Sequence, residues 1–187
     1  IPPGIFYIRE GQIRLLITDE SKELFTISQY AKGSIVGAEQ ILRGATDSSL
    51  TASRKTKGIL LPIRNFLDLI VRFPELYKNF ESIKPYELFS ILYKNQDEVP
   101  LKTADLITQT KDICKKNHQV ELLQPGKTTL SETSYDVFIS SDNVKGFPLG
   151  KKITGSQTLD VVGKIPARLI YLKEEIPILS NDNSKLE

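Results

Sequence analysis

The chain has 187 residues, of which 40% are hydrophobic and 26% are charged, and it carries a formal net charge of +2 at pH 7. This composition is typical of a globular protein and excludes a disordered or collagen-like chain, and no apolar run approaches the roughly 20 residues that a membrane-spanning helix requires. The basic residues are scattered along the sequence, so we expect no nucleic-acid-binding face.

Residues 5 to 63 follow the pattern of short strands. The stretches IFYIREGQIRLLI and KELFTIS combine alternation with short apolar runs, and the polar residues from Asp19 to Ser21 predict a hairpin turn between them. The two glycines of YAKGSIVG and the short stretches SLTAS and KGILLPI continue this pattern. The spacing of the turn signals predicts a compact β-roll or barrel.

Helical spacing begins after Ile63. The apolar positions of the first helix are Phe66, Leu67, Ile70 and Val71. Asn65 is its predicted N-cap, and Pro74 is expected to end or bend it. Two further amphipathic helices are predicted, in PELYKNFESIKPYELFSILYKNQ and in LKTADLITQTKDICKKN. Their predicted packing positions are Leu88, Phe89, Leu92, Leu106, Ile107, Ile113 and Cys114.

Cys114 and His118 are the one cysteine and the one histidine of the chain, and they lie four residues apart. The apolar spacing around Cys114 favours a core residue over half of a metal or nucleophile pair. We find no Ser/His/Asp, Cys/His or clustered-carboxylate arrangement that is typical of an active site. The sequence therefore predicts no catalytic residue, no metal site and no cofactor.

After QPGK the chain returns to strands, in DVFISSDNV, LDVVGKI and ARLIYLK. We predict four segments: a β-roll over residues 1–80, a helical connector over 81–118, a second, smaller β unit over 119–179 and a polar tail over 180–187. The length of the chain fits one complete core with a smaller second unit.

Two stretches indicate a weak internal repeat. FYIREGQI and VFISSDNV each consist of an apolar strand, a turn and an apolar restart, and IPPG precedes the first as LQPGK precedes the second. Eight residues, KTTLSETS, separate the second PG from its strand, whereas almost none follow the first. Either residues are missing after Gly4 or the first unit is shortened. Because the sequence begins with IPPG and has no methionine, we expect a piece of a longer polypeptide.

The stretches FYIREGQIRLL, KGSIVG, LRGATDSSLTAS and LLPIRNFLDLIVRFPEL resemble, in order and spacing, the cyclic nucleotide-binding domain. The resemblance covers residues 1 to about 80. It implies a mainly β fold with α: an eight-stranded β-roll of jelly-roll type closed by C-terminal helices, here followed by the smaller second β unit.

In that family the phosphate cassette consists of phenylalanine, glycine and glutamate, an arginine about nine residues later, and then serine or threonine with alanine. The resemblance implies that backbone N–H groups at a helix start hold the cyclic phosphate, that the arginine neutralises it and that the glutamate accepts from the ribose. Here Gly37 matches the glycine, Ala38 stands at the glutamate position and Asp47 at the arginine position, with Glu39 available after a one-residue shift. The candidate ligand-binding residues are Gly37, Ala38, Glu39, Arg43, Gly44, Asp47, Ser48 and Ser49.

Asp47 opposes an anionic ligand in this cassette loop, residues 36 to 53. A charge-assisted bond to phosphate contributes ~1.5–3 kcal/mol. Replacing the cation of this bond by an acid lowers the affinity for the phosphate by at least ~100-fold. We therefore predict no ordinary cAMP binding. Arg43 is the one cation of the loop, and we expect it to be solvated on a turn or helix surface rather than bound to phosphate.

A narrower resemblance covers nearly the whole chain. The segment LRGATDSSLTASRKTKGILLPIRNFL, the helices after it, LLQPGK, VFISSDNV with FPLG, and VVGKIPARLIYLKEE are similar to the N-terminal cytoplasmic region of cyanobacterial peptidase-containing ABC transporters, the bacteriocin-type exporters. In that group the cassette is commonly degenerate in the same way. The sequence holds no Walker A pattern and no peptidase cysteine signature, so the resemblance implies that catalytic and transport parts lie downstream of Glu187.

Three functional hypotheses follow. The first is a non-enzymatic, cytoplasmic regulatory module that acts through domains of the same longer chain or an exporter, with its oligomeric state open. The second is a sensor of another small ligand, contacted by Glu39, Ser48 and Ser49. The third is a fragment of a cAMP-receptor-type transcription regulator, which needs a helix-turn-helix after the hinge helix; residues 101 to 187 instead predict one helix and then strands.

Overall fold

The computed structural model describes residues 1–19, 21–45, 47–96, 101–116 and 118–173. Six strands form its first β unit: β1 (Gly4–Glu10), β2 (Gln12–Thr18), β3 (Leu24–Ala31), β4 (Ile35–Val36), β5 (Ser49–Ala52) and β6 (Lys57–Pro62). A short helix, α1 (Ala38–Arg43), lies between β4 and β5. The strands form two antiparallel sheets, in the orders β4-β1-β6 and β3-β2-β5.

The predicted turn between β2 and β3 is closed by its own polar side chains. Asp19 Oδ1 accepts hydrogen bonds from the Ser21 hydroxyl at 2.8 Å and from the Glu23 backbone N–H at 2.9 Å. This local hydrogen bonding holds the chain at the point where Thr18 pairs with Leu24.

The helical elements after β6 are α2 (Ile63–Arg72), a 3₁₀ segment (Pro74–Phe80), α3 (Pro85–Lys94) and α4 (Thr103–Ile113). The prediction of Asn65 as N-cap is wrong, because α2 begins at Ile63, directly after Pro62. Pro62 has the fixed φ that suits a helix boundary, and Asn65 therefore falls inside the first turn. Pro74 ends α2, as predicted, and the chain continues as a tighter 3₁₀ turn.

Six strands of the second β unit lie in the described part of the chain: β7 (Gln119–Leu123), β8 (Gly126–Leu130), β9 (Asp136–Ile139), β10 (Lys152–Ile153), β11 (Gln157–Val161) and β12 (Ala167–Leu172). They form one sheet in the order β10-β9-β12-β7 and a two-stranded sheet of β11 and β8. The prediction of a mainly β protein with helices, in which a second β unit follows the first, is confirmed.

The two β units share part of their core. One cluster of buried side chains joins β2 and β3 of the first unit, α3 and α4, and β9 and β12 of the second unit. Within it lie Leu15, Leu88, Leu106 and Phe138, all fully buried. The division of the chain at residues 80 and 118 stays a prediction, and the predicted tail, 180–187, lies outside the described residues.

None of the helices in the described ranges is long and apolar enough to cross a membrane.

Candidate functional site

The cassette loop is built around α1, which has left-handed glycines at both ends. Gly37 precedes the helix at φ 92° and Gly44 follows it at φ 66°. A side chain at Gly37 would place its Cβ 2.9 Å from the Gly4 carbonyl oxygen, and one at Gly44 would place it 1.9 Å from Asp142 Oδ1. Both glycines are therefore required by their backbone conformation and by a close neighbour.

Arg43, the last residue of α1, points into the protein and is 1% exposed. The prediction that it is solvated is wrong. Its Nε donates to the carbonyl oxygen and the hydroxyl of Ser140, at 2.8 and 3.1 Å, and its guanidinium lies 5.2 Å from the ring centre of Tyr86. The second β unit and α3 enclose this cation, so it is withdrawn from any ligand in solution.

Glu87 of α3 holds the anionic position of the same cluster. Its carboxylate accepts from the Ser140 hydroxyl and from Arg168 Nε, each at 2.5 Å, and from Arg168 Nη2 at 3.1 Å. Arg43 Nε lies 3.6 Å from Glu87 Oε1, and the Lys84 backbone N–H donates to Glu87 Oε2 at 3.3 Å. The carboxylate is thus almost completely buried but fully hydrogen-bonded.

Arg168 of β12 completes this buried-charge cluster, which we define as Arg43, Asp47, Glu87, Ser140 and Arg168. Its Nη1 and Nη2 donate to the carbonyl oxygens of Phe80 and Ser82, at 2.6 and 3.1 Å. The cluster therefore connects the cassette helix, the start of α3 and the second β unit through charge-assisted hydrogen bonds.

Asp47 has a clear place in this arrangement. Its Oδ2 lies 3.6 Å from Arg43 Nη2, so two carboxylates face two guanidinium groups and the cluster has no net charge. Asp47, which the resemblance aligned with the cassette arginine, therefore balances a buried cation of its own chain.

The charges around Glu87 also determine its protonation. Burial disfavours the carboxylate, but Arg168 and Arg43 outweigh burial, and the pKa of Glu87 is held below its ordinary value of 4.5. The carboxylate is therefore ionised at neutral pH, as the cluster requires.

The remaining cassette residues do not converge on one site. Ala38 is fully buried, and Glu39 lies 3.9 Å from Lys84 Nζ. Asp47, Ser48 and Ser49 instead line a cleft of about 380 Å³, which α3 closes on its other side. The cleft is also lined by Thr18, Phe89, Ser90, Tyr93 and Lys94.

The structure thus separates the predicted residues into four places. Arg43 and Asp47 meet in the buried-charge cluster, and Asp47 to Ser49 border the cleft. Gly37, Ala38 and Gly44 belong to the packed ends of α1, and Glu39 faces Lys84. Whether any of them binds a ligand stays a prediction.

Sequence reasoning missed Glu87, Ser140 and Arg168. A signal was present, because Glu87 interrupts the apolar helix PYELFSIL and Arg168 interrupts the apolar strand ARLIYL. Charged residues within apolar runs are seldom fully buried unless they are paired. Their partnership across 81 positions could not be read from the spacing alone.

Cys114 and His118 lie at and just after the end of α4. Cys114 packs against the shared core, and burial raises the pKa of its thiol to about 12. His118 Nε2 lies 2.8 Å from the Ile113 carbonyl oxygen. Across the described ranges of the chain, no group of three or more His, Cys, Asp and Glu side chains could hold a metal ion.

No protein-family model matches the chain, and no curated protein matches its sequence. Several solved structures have a similar fold. The catabolite activator protein of Thermus thermophilus is 16% identical over 61% of this chain and 68% of its own, with a TM-score of 0.35.

Two kinase regulatory proteins give comparable values. The regulatory domain of Toxoplasma gondii protein kinase A, solved with cAMP, is 13% identical over 90% of this chain and 69% of its own, with a TM-score of 0.34. The regulatory subunit of a cAMP-independent protein kinase A from Trypanosoma brucei is 13% identical over 95% of this chain and 68% of its own, with a TM-score of 0.30. These scores describe a loose likeness in fold, and no conclusion about a ligand follows from it.

Proposed function

We propose that the chain is a non-enzymatic regulatory module of cyclic-nucleotide-binding type whose cassette does not bind cAMP or cGMP, and that it acts through contacts with other protein domains. The observation that carries this proposal is the buried position of Arg43. The cation nearest to the cassette is held by Ser140 and Glu87 and neutralised by Asp47. A cyclic phosphate would find no free guanidinium there.

The magnitude of the effect supports this reading. Drawing Arg43 out of the cluster would leave Glu87 and Asp47 each with one fewer partner, and breaking such a buried pair costs about 3–5 kcal/mol. A phosphate contact contributes only about 1.5–3 kcal/mol in return. Rearrangement of Arg43 toward a nucleotide is therefore unfavourable.

Isothermal titration with cAMP and with cGMP tests the proposal. We expect no binding at micromolar ligand for the wild-type chain. The matched variant is Asp47→Asn, which removes the negative charge and leaves Arg43 buried; we expect it to bind neither nucleotide. Micromolar binding by the wild-type chain would overturn the proposal. Binding by Asp47→Asn alone would show that Arg43 is accessible and that the acid alone blocks the site, which contradicts the inward role of Arg43.

The attachment to an ABC exporter is a further part of the proposal, and it rests on the sequence resemblance to the N-terminal cytoplasmic region of bacteriocin-type exporters. It places the module at the inner face of a membrane through the attached transporter. Peptidase and ATPase sequences encoded downstream of Glu187 would support this assignment, and a stop codon directly after Glu187 would refute it.

The cleft beside Asp47 favours a second candidate function, a sensor of another small ligand. Its volume of about 380 Å³ is that of a small-molecule site, and its lining by Ser48, Ser49 and Ser90 offers hydroxyls to a polar molecule. Thermal-shift screening of neutral polyols and organic cations tests this candidate, with Ser49→Leu as the variant that fills the cleft.

A further inference from the structure

β6 has an apolar sequence, which predicts a buried strand, but most of its residues are exposed. The strand carries the apolar run Ile59, Leu60 and Leu61, yet Ile59 is 57% exposed and Leu60 is 49% exposed. These neighbours point to opposite faces of the sheet, so both faces of β6 are uncovered at this point. Within the described residues, β6 pairs with β1 alone and forms the edge of its sheet.

The second β unit contains the same strand order with one addition. In the first unit the order is β4-β1-β6, and in the second it is β10-β9-β12-β7. β4 pairs with β1 at Phe6 and Tyr7, and β10 pairs with β9 in the same antiparallel manner. β6 therefore corresponds to β12, and β7 occupies the edge that β6 leaves unpaired.

The other sheet shows the same difference. β5 pairs with β2. The strand of the second unit that corresponds to β5 is β11, and its Val161 forms an isolated β-bridge with Val144. β11 also pairs along its whole length with β8, whereas β5 has no second partner among the described strands. The segment Gln119–Leu130 carries the consecutive strands β7 and β8, which lie in different sheets, and it thus pairs with both β12 and β11.

Burial follows this pairing. All but one of the six residues of β12 are buried, whereas five of the six residues of β6 are exposed. β12 packs into the shared core and pairs with β7 at its edge, whereas β6 has neither contact among the described residues.

We propose that β5 and β6 form a docking surface for two consecutive amphipathic β-strands, supplied by a polypeptide segment outside these 187 residues. One of these strands pairs antiparallel with β6 beside Leu60, and the other pairs with β5, as β7 and β8 do on β12 and β11. Main-chain hydrogen bonds to the open edge supply the affinity, and apolar side chains at alternate positions supply the match. The proposal does not depend on the nucleotide-binding properties of the cassette.

The outer face of the same sheet adds to the surface. Ile35, Tyr7 and Ile59 lie side by side across β4, β1 and β6, and all three are exposed. An exposed apolar row beside an open sheet edge is typical of an interaction site.

The test supplies the two missing strands from the chain itself. A second copy of Gln119–Glu132 is fused directly before Ile1. The connector between the second copied strand and β1 then has the same length as residues 131 to 135, which join β8 to β9. Hydrogen exchange is then measured for residues 49 to 62, with residues 157 to 172 as the internal reference. We expect exchange of the β5 and β6 amides to slow by at least about tenfold relative to the unfused chain.

Two variants serve as controls. In the first, each strand of the fused copy carries two adjacent prolines. These are Val120→Pro with Glu121→Pro and Thr128→Pro with Thr129→Pro. Because adjacent N–H groups point to opposite edges of a strand, one proline of each pair removes an N–H that is directed at the neighbouring strand. In the second, the fused chain carries Leu60→Lys on the receiving strand. Both should restore the rapid exchange of the unfused chain.

Three outcomes would overturn the proposal. The fused strands can leave residues 49 to 62 unprotected while the second unit stays protected. The unfused chain can already protect them in a concentration-dependent manner, which would make the occupant a second copy. That protection can instead disappear on removal of residues 174–187, which would make the occupant the chain's own end.

Discussion

Glu87 is the residue on which the buried-charge cluster depends. Removing a carboxylate from water is unfavourable, and the net stabilisation from a buried ion pair is accordingly small. Once the pair is formed, however, the loss of one partner leaves the others buried without compensation. Glu87 accepts from both Arg168 and Ser140 and faces Arg43, so its charge keeps two guanidinium groups in place.

Glu87→Gln keeps the shape of the side chain and removes its charge. We expect the free energy of unfolding to fall by about 3–5 kcal/mol, because the two arginines lose their shared counter-charge. Urea denaturation measures the change. The matched control, Glu81→Gln on the surface, should stay within about 0.5 kcal/mol of wild type. A loss below about 1 kcal/mol for Glu87→Gln would mean that the cluster is solvated.

The same variant has a predicted pH dependence. The pKa of Glu87 is lower in the folded chain than its ordinary value of 4.5. A carboxyl group of this kind stabilises the fold above the unfolded pKa, and the stabilisation is lost as the pH falls through the folded pKa. The stability difference between wild type and Glu87→Gln should therefore be constant above about pH 5 and shrink below pH 4.5. A difference that grows in acid would contradict the assignment.

At the scale of the element, α1 is held by its two glycines as much as by its own hydrogen bonds. Six residues form less than two turns, and so short a helix is unstable alone. The Asp142 backbone N–H donates to the Arg43 carbonyl oxygen at 2.9 Å, so the second β unit caps the end of the cassette helix. The close approach that this cap requires leaves no room for a side chain at Gly44.

Gly44→Ala and Gly155→Ala separate the cost of a left-handed backbone from the cost of a clash between a new Cβ and a neighbouring residue. Both positions have a left-handed backbone, at φ +66° and +67°, but a Cβ at Gly155 meets nothing within 4 Å. We expect Gly155→Ala to lower the free energy of unfolding by about 1 kcal/mol, from backbone strain alone. Gly44→Ala should lose about 1–2 kcal/mol more, from the clash with Asp142.

The double variant Gly44→Ala with Asp142→Ala checks the cause. It should recover most of the additional loss, and a double-mutant cycle with the Asp142→Ala single variant measures the coupling. If the two changes are additive, the contact with Asp142 does not limit Gly44, and the backbone conformation alone would explain the glycine.

Much of the element order followed from the sequence, because periodicity is a local property. The alternation of β1 and β2 and the helical spacing of α3 gave the right element types, and Pro74 ended α2 where proline lacks a donor. The prediction that Asn65 caps α2 was wrong because Pro62 had already fixed the helix boundary. The prediction that Arg43 is solvated was wrong because Ser140, which accepts its hydrogen bond, lies some 100 positions away. No local sequence pattern indicates such a contact.

At the scale of the whole molecule, α3 joins the two β units. Its apolar face lies in the shared core with β2 and β9, and its Glu87 connects the cassette helix to β12. Packed and ionic contacts therefore connect α1 with the second unit. In the proposed regulatory module, these contacts would link the cassette to a partner surface.

The shared core predicts that the two β units unfold together. Ile8 lies in a cluster confined to the first unit, and Leu159 lies in one confined to the second; both side chains are fully buried. Ile8→Ala and Leu159→Ala should each lower the free energy of unfolding by about 2–4 kcal/mol.

Differential scanning calorimetry of the two variants decides whether the units are coupled. In a coupled chain, each variant shifts one common transition, and the calorimetric enthalpy equals the van't Hoff enthalpy. Independent units would instead give two transitions, with Ile8→Ala moving one and Leu159→Ala moving the other. That result would mean that the contacts of α3 with both sheets are too weak to couple the units, and the path from the cassette to the second unit would be lost with them.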